Sequence, residues 1–105
     1  MQATLRAVST PRRREILRLV WDKELSAGEI ASHFGDVSWA AVSQHLRVLR
    51  EAGLLRERRE GNHRLYRADR AALGPLRSVL KSLWSQDLDR LRTMAEGEGR
   101  GARRR

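Results

Sequence analysis

The stretch from Ser26 to Gly53 carries two helix starts and two helix stops in close succession. Ser26-Ala27-Gly28-Glu29 reads as a capping box, Ser26 at the N-cap and Glu29 at the third helical position, each side chain satisfying an amide that the helix leaves open. The short helix that follows has Ile30, Ala31 and Phe34 as its apolar side, and Gly35-Asp36 breaks it. Ser38 then caps a longer helix that runs to about Ala52, with Gly53 placed to end it. A short helix, a tight turn and a longer helix in this order make a helix-turn-helix. The motif leaves few folds open to a chain of 105 residues, which has room for one domain with one modest core.

The longer helix has to serve two environments. On a wheel of about 100° per residue, Ala41, Val42, His45, Leu46, Val48, Leu49 and Ala52 fall on one broad arc. Arg50, Ser43, Arg47, Ala40 and Gln44 fall on the other, with Trp39 at the border. One side packs and the other is presented. The presented residue types suit a DNA major groove. Gln pairs with adenine N6 and N7, Arg forks onto guanine, Ser reaches base or phosphate, and Ala40 permits close approach or contact with a thymine methyl. The first turns of such a helix normally reach the bases. Ser38, Trp39, Ala40, Ser43 and Gln44 are therefore placed at or near base edges, Arg47 at base or phosphate, and Arg50 at phosphate. The plain alternative is an ordinary amphipathic helix. His45, within the apolar arc, reads as a packed, hydrogen-bonded histidine. Trp39 suits two roles equally: stacking on a sugar, or covering the start of its own helix.

Around this motif, Met1 to Ser9 can form a short helix with Leu5 and Val8. Thr10-Pro11 starts another, a capping hydroxyl followed by a proline whose missing N–H costs nothing there; it runs through about Trp21. After Gly53 the period changes. Leu54–Arg59 and His63–Ala68 read as two strands joined by a tight turn at Glu60-Gly61-Asn62, a wing in the geometry of such folds. Arg56, Arg58, Arg59, Arg64 and Arg67 line its arms and cannot all face one way, because alternate residues point to opposite faces. Arg58, Arg59, Asn62, His63 and Arg64 are the candidate DNA contacts of the wing, with some arginines left to pair with Glu57 and Glu60. Asp69 suits a cap, and Pro75 the first turn of a last long helix to about Ala95. Leu76, Val79, Leu80, Leu83, Leu91 and Met94 make a stripe along it. Asp87 falls on that stripe, and a carboxylate there needs a cation, for which an arginine of a second chain is the candidate. The expected architecture is mainly α with a small β-hairpin, α-α-α-α-β-β-α, over residues 1–96. A basic, disordered tail is expected over residues 97–105, with Arg103–Arg105 either solubilising or adding nonspecific DNA affinity.

Charge narrows the partner. Lys and Arg total 22 against 13 Asp and Glu, a net charge of +9, which on so small a chain points to a polyanion. With no cysteine, disulfides, thiolate metal sites and thiol redox sensing are excluded. No apolar run approaches membrane-spanning length and no signal peptide is evident, so a soluble cytoplasmic protein is expected. No nucleophile–base–acid group, phosphate-binding glycine loop or metal cluster points to an enzyme.

The stretches STPRRREILRLV, ELSAGEIASHF, AVSQHLRVLREAGLLRERREGNHRLYR and LGPLRSVLKSLW together resemble the ArsR/SmtB family of bacterial winged-helix regulators, over about residues 3–95. The resemblance implies a homodimer on double-stranded DNA, formed through the first and last helices, most members being repressors. It marks Leu5, Val8, Leu76, Val79, Leu80, Leu83, Trp84 and Leu91 as interface or core positions. The family's arsenic-type cysteines match Ser26 and Gly28 here. Its zinc-type ligands match Asp69, Ala71, Ser82 and Ser85, of which only Asp69 keeps a ligating side chain. No metal and no cofactor are therefore expected. The turn FGDVSWAAV carries one residue more than is common in the family, with Trp39 where a polar residue usually stands. Two readings remain in competition: a sequence-specific dimeric regulator reading an inverted repeat, and a nonspecific architectural protein that coats DNA by charge.

Overall fold

The computed structural model describes residues 2–103, with side chains as far as Arg90. Two helices open the chain, α1 (Gln2–Ala7) and α2 (Pro11–Leu19). A short strand β1 (Leu25–Ser26) leads into α3 (Ala27–Ser32), and α4 (Trp39–Glu51) follows. Strands β2 (Leu55–Glu60) and β3 (His63–Ala68) form the wing. After them come α5 (Arg70–Leu73), a 3-10 turn at Gly74–Leu76, and α6 (Arg77–Arg103). The architecture is a winged helix-turn-helix: mainly helical, with one small antiparallel sheet.

The caps behave largely as the residue types dictate. Both halves of the capping box are made: the Glu29 amide donates to Ser26 Oγ at 3.1 Å, and the Ser26 amide donates to Glu29 Oε1 at 2.9 Å. Ser38 Oγ accepts from the Ala41 amide at 3.1 Å. Thr10 departs from expectation. It is extended, and Pro11 follows it in the first turn, but its side chain makes no capping hydrogen bond. The end of α4 is a Schellman motif. Gly53 has φ +78°, its amide donates to Arg50 O at 2.9 Å, and the Leu54 amide donates to Leu49 O at 3.0 Å. Leu49 and Leu54 are both buried, the apolar contact that accompanies this motif.

The sheet has three strands in the order β1-β3-β2, rather than the hairpin alone. Leu25 pairs with Tyr66 and Ser26 with Leu65. A two-residue strand is too short to show alternation, and Ser26 is also the N-cap of α3, so its strand role leaves no mark of its own. In the wing, Glu60 faces His63 across Gly61-Asn62. Gly61 takes φ +60° at the first turn position, which a side chain adopts only under strain.

Ile16, Leu17, Val20, Ile30, Leu49, Leu54, Leu73 and Leu80 are sealed from solvent in one core that joins all the longer helices to the sheet. Truncating such a leucine to alanine typically costs about 2–5 kcal/mol, so this core fixes where α4 sits. Two backbone bonds lock the wing base to the helices: the Ala68 amide to Val20 O at 2.9 Å and the Asp69 amide to Leu54 O at 2.8 Å. Asp69 Oδ1 caps α5 by accepting from the Ala72 amide at 3.1 Å. That bond is the main reason its carboxyl stays below the usual range. The last helix begins at Arg77, after Pro75 has served in the 3-10 turn, and continues to Arg103. The glycines had predicted an end at about Ala95 and an irregular tail. Each residue added to an existing helix gains a backbone hydrogen bond, and the Glu, Arg and Ala interspersed among these glycines favour helix.

Candidate nucleic-acid interface

Helix α4 separates its two faces cleanly. Val42, Leu46 and Leu49 are buried, whereas Ser38, Trp39, Ala40, Ser43, Gln44, Arg47 and Arg50 are exposed. Trp39 is 57% exposed, so more than half of its surface is open at the start of this face. His45 is half-buried beneath this face. Its Nδ1 lies 3.5 Å from Arg13 Nη1. Burial, and then the nearby Arg13 and Arg12, lower its pKa and favour the neutral ring.

The wing divides by alternation. Leu55, Glu57 and Arg59 share one face with Ala68, Tyr66 and Arg64. Arg56, Arg58 and Glu60 share the other with Arg67, Leu65 and His63. The first face turns toward α4: Arg50 Nη1 donates to Glu57 Oε2 at 2.6 Å, and Arg64 Nε lies 3.8 Å from Glu57 Oε1. Arg59 and Arg64 therefore stand beside the presented side of α4, with Asn62 exposed at the tip.

Arg58 and His63 lie on the opposite face. Arg58 is gripped there by Glu24, through Nε at 2.8 Å and Nη2 at 2.9 Å, and its Nη2 also meets Glu60 at 2.9 Å. These bonds raise the Arg58 pKa further and pull that of Glu24 down. Sequence spacing could not show the Glu24 contact, because the pairing of β1 with β3 creates it. The position of Glu57 between Arg50 and Arg64 was open to the alternation rule. Arg47 is also partnered, with Glu51 one turn on at 3.0 Å. An arginine so held meets a phosphate only by exchanging one oxygen partner for another.

Several positions marked as interface or core prove to be core. Val8 is 4% exposed and Leu80 0%, so the chain buries both by itself. Trp84 is committed internally: its ring meets Trp21 edge-on at 5.4 Å, and its Nε1 donates to Arg14 O at 2.9 Å. Asp87 pairs with Arg14 of its own chain, so its cation needs no second chain. Leu5, Val79 and Leu88 remain about half exposed, with Leu76 and Leu83 partly buried. The side chain of Leu91 lies outside the described residues. Among the described residues no three His, Asp or Glu side chains converge on a metal-sized site, and no helix there is long and apolar enough to cross a membrane.

Known proteins are similar to this chain in sequence and in fold. The sequence profile of "Bacterial regulatory protein, arsR family" matches residues 10–57, which hold α2 to the start of the wing. The HTH-type transcriptional regulator Rv2034 of Mycobacterium tuberculosis is 36% identical over 93 residues, 89% of this chain and 86% of that one. The transcriptional repressor SdpR of Bacillus subtilis is 36% identical over 66 residues, 63% of this chain and 72% of its own. The transcriptional activator HlyU of Vibrio cholerae is 35% identical over 82 residues, 78% of this chain and 75% of its own. The solved structure of reduced HlyU superposes with a TM-score of 0.68 at 34% identity, covering 79% of this chain and 86% of that one. On this evidence the chain belongs to the ArsR family of bacterial DNA-binding transcription regulators.

Proposed function

We propose that the protein is a cytoplasmic homodimeric repressor that reads an inverted-repeat operator and does so without metal sensing. The observation that carries this reading is the division of α4: an apolar side locked into the core, and a presented side of Ala40, Ser43, Gln44, Arg47 and Arg50 flanked by the arginines of the wing. Gln44 and Ser43 read base edges in the major groove. Arg47 and Arg50 hold phosphates, and Arg59 and Arg64 reach the backbone or the adjacent minor groove. Exposed Leu5, Val79 and Leu88, on α1 and α6, supply the apolar surface for pairing two chains. A two-fold dimer then places two copies of α4 about one helical turn apart, roughly 34–36 Å. Repression follows where such a site overlaps a promoter. Residues 1–96 form the working domain in this reading, with the basic end beyond it adding to affinity. Asp69 acts as a helix cap, and the absence of ligating side chains at Ala71, Ser82 and Ser85 supports regulation without metal.

The test is selection of bound sequences from a random duplex pool at near-physiological salt. It is followed by a reporter driven from a promoter that contains the recovered site. An inverted repeat with one-turn spacing and a reporter that falls on expression of the protein support the reading. No enrichment, with binding lost steeply as salt rises, assigns the protein to charge-driven coating of DNA instead. A reporter that rises replaces repression with activation.

A further inference from the structure

A groove of about 730 Å³ runs between the first turn of α2, the residues after α3, and α6, and it reaches His45 on α4. Its size suits a metabolite-sized ligand. Its charges are unevenly satisfied. Three carboxylates line it, and each brings its own cation. Glu15 takes two bonds from Arg18, at 2.7 and 2.6 Å. Asp36 takes two from Arg12, at 3.1 and 2.6 Å, and Asp87 takes two from Arg14, both 2.9 Å. Arg90 also lines the groove and is exposed, and no carboxylate among the described residues neutralises it.

The remaining polar side chains of the lining, Thr10, His33 and His45, can each donate a hydrogen bond. His33 and His45 both border the groove. With His45 Nδ1 turned to the Arg13 guanidinium, the neutral ring carries its proton on Nε2. Among the described residues the groove thus presents the Arg90 guanidinium without a carboxylate partner, beside groups able to donate, and no free carboxylate to repel an anion. Its walls also include the rings of Pro11 and Phe34, which suit an apolar body. We propose that this groove binds a small organic anion, a carboxylate on an apolar, ring-sized body, with Arg90 as the principal charge partner. The site is separate from the presented side of α4. It touches α4 through His45 and α6 through Arg90, so an occupant bears on both the reading helix and the last helix.

Thermal unfolding of the full chain with millimolar benzoate, phenylacetate or 1-naphthoate, at matched ionic strength, tests this. Neutral benzamide serves as the control. At least one carboxylate is expected to raise Tm by several degrees where benzamide does not, as binding to the folded state requires. Arg90→Gln should leave the ligand-free Tm in place and remove the shift. Arg70→Gln, which takes the same charge from α5, should keep it. The proposal fails if no carboxylate shifts Tm, if Arg90→Gln retains the shift, or if both variants lose it alike, because the last result marks general attraction to a basic protein. DNA binding measured without ligand reports separately on the regulator reading, which this site does not require.

Discussion

Arg14 and Asp87 form a two-pronged ion pair, Nε to Oδ2 and Nη2 to Oδ1, each at 2.9 Å, that ties α2 to α6. Arg14 is 7% exposed, and its third prong donates to Val8 O at 2.9 Å, at the end of the first helical segment. Trp84 returns a bond to Arg14 O. One guanidinium therefore fixes the angle at which the last helix leaves the DNA-reading part of the domain. Asp87→Ala leaves that buried guanidinium without its carboxylate, which typically costs about 3–5 kcal/mol. The double change Arg14→Met with Asp87→Leu removes both charges together and is expected to recover most of the loss. Urea unfolding monitored by tryptophan fluorescence measures both. An Asp87→Ala midpoint equal to that of the parent would show that packing alone holds α6.

This pair also marks the limit of what the sequence discloses. The position of Asp87 on an apolar stripe announced that it needed a cation. Arg14 is 73 residues away, and nothing local in PRRREILRL distinguishes it from its neighbours Arg12 and Arg13. The capping box at Ser26 and the stop at Gly53 were legible because each is a local contract between residues a few positions apart. The two sides of α4 were legible because a helix repeats every 3.6 residues. The Glu24–Arg58 clamp, and the burial of Val8 and Leu80 within one chain rather than between two, were not, since they depend on which elements the tertiary fold brings together.

The presented side of α4 predicts a contrast between two neighbouring substitutions. Gln44→Ala removes a side chain placed for a bidentate adenine contact. It should relax preference at one operator position, weakening binding there by about 1–3 kcal/mol and leaving affinity for random duplex nearly unchanged. Arg47→Ala should instead weaken binding to specific and random DNA alike, and reduce the slope of log K against log salt by about one. Fluorescence-anisotropy titrations on both duplexes, across a salt series, separate the two. Equal losses on both duplexes for Gln44→Ala would remove it from the readout.

The wing predicts a second contrast, between adjacent arginines. Arg59 stands on the face turned toward α4, whereas Arg58 points the other way into Glu24 and Glu60. Arg59→Ala should lower DNA affinity and reduce the salt slope by about one phosphate contact. Arg58→Ala should change DNA affinity little and loosen the tie between the wing and the chain before β1, visible as faster amide hydrogen exchange in β1 and β3. The reverse order of effects on DNA affinity would show that the wing meets DNA through its other face.

His45 predicts how stability responds to acid. Burial and the guanidinium groups of Arg13 and Arg12 hold its folded pKa below the ordinary 6.5. As pH falls through about 6.5, the unfolded chain takes up a proton that the folded chain resists. Stability therefore declines with falling pH until the folded pKa is reached, and levels off below it. The carboxyls of Glu24, Glu29, Asp36 and Asp69 are held low by their partners, so their contribution is full at neutral pH. It disappears only as pH drops below their ordinary values of 4.5 or 3.8. Between about pH 6.5 and about pH 5 these carboxyl contributions stay nearly complete, so comparison with His45→Gln reports this ring. Unfolding free energy of the parent should fall across it, and His45→Gln should flatten the profile there while leaving the steeper loss below about pH 4.5. A parent profile that is level between pH 7 and about pH 5, or a His45→Gln profile that keeps the decline, would mean that the ring accepts its charge in the folded domain despite the two arginines beside it.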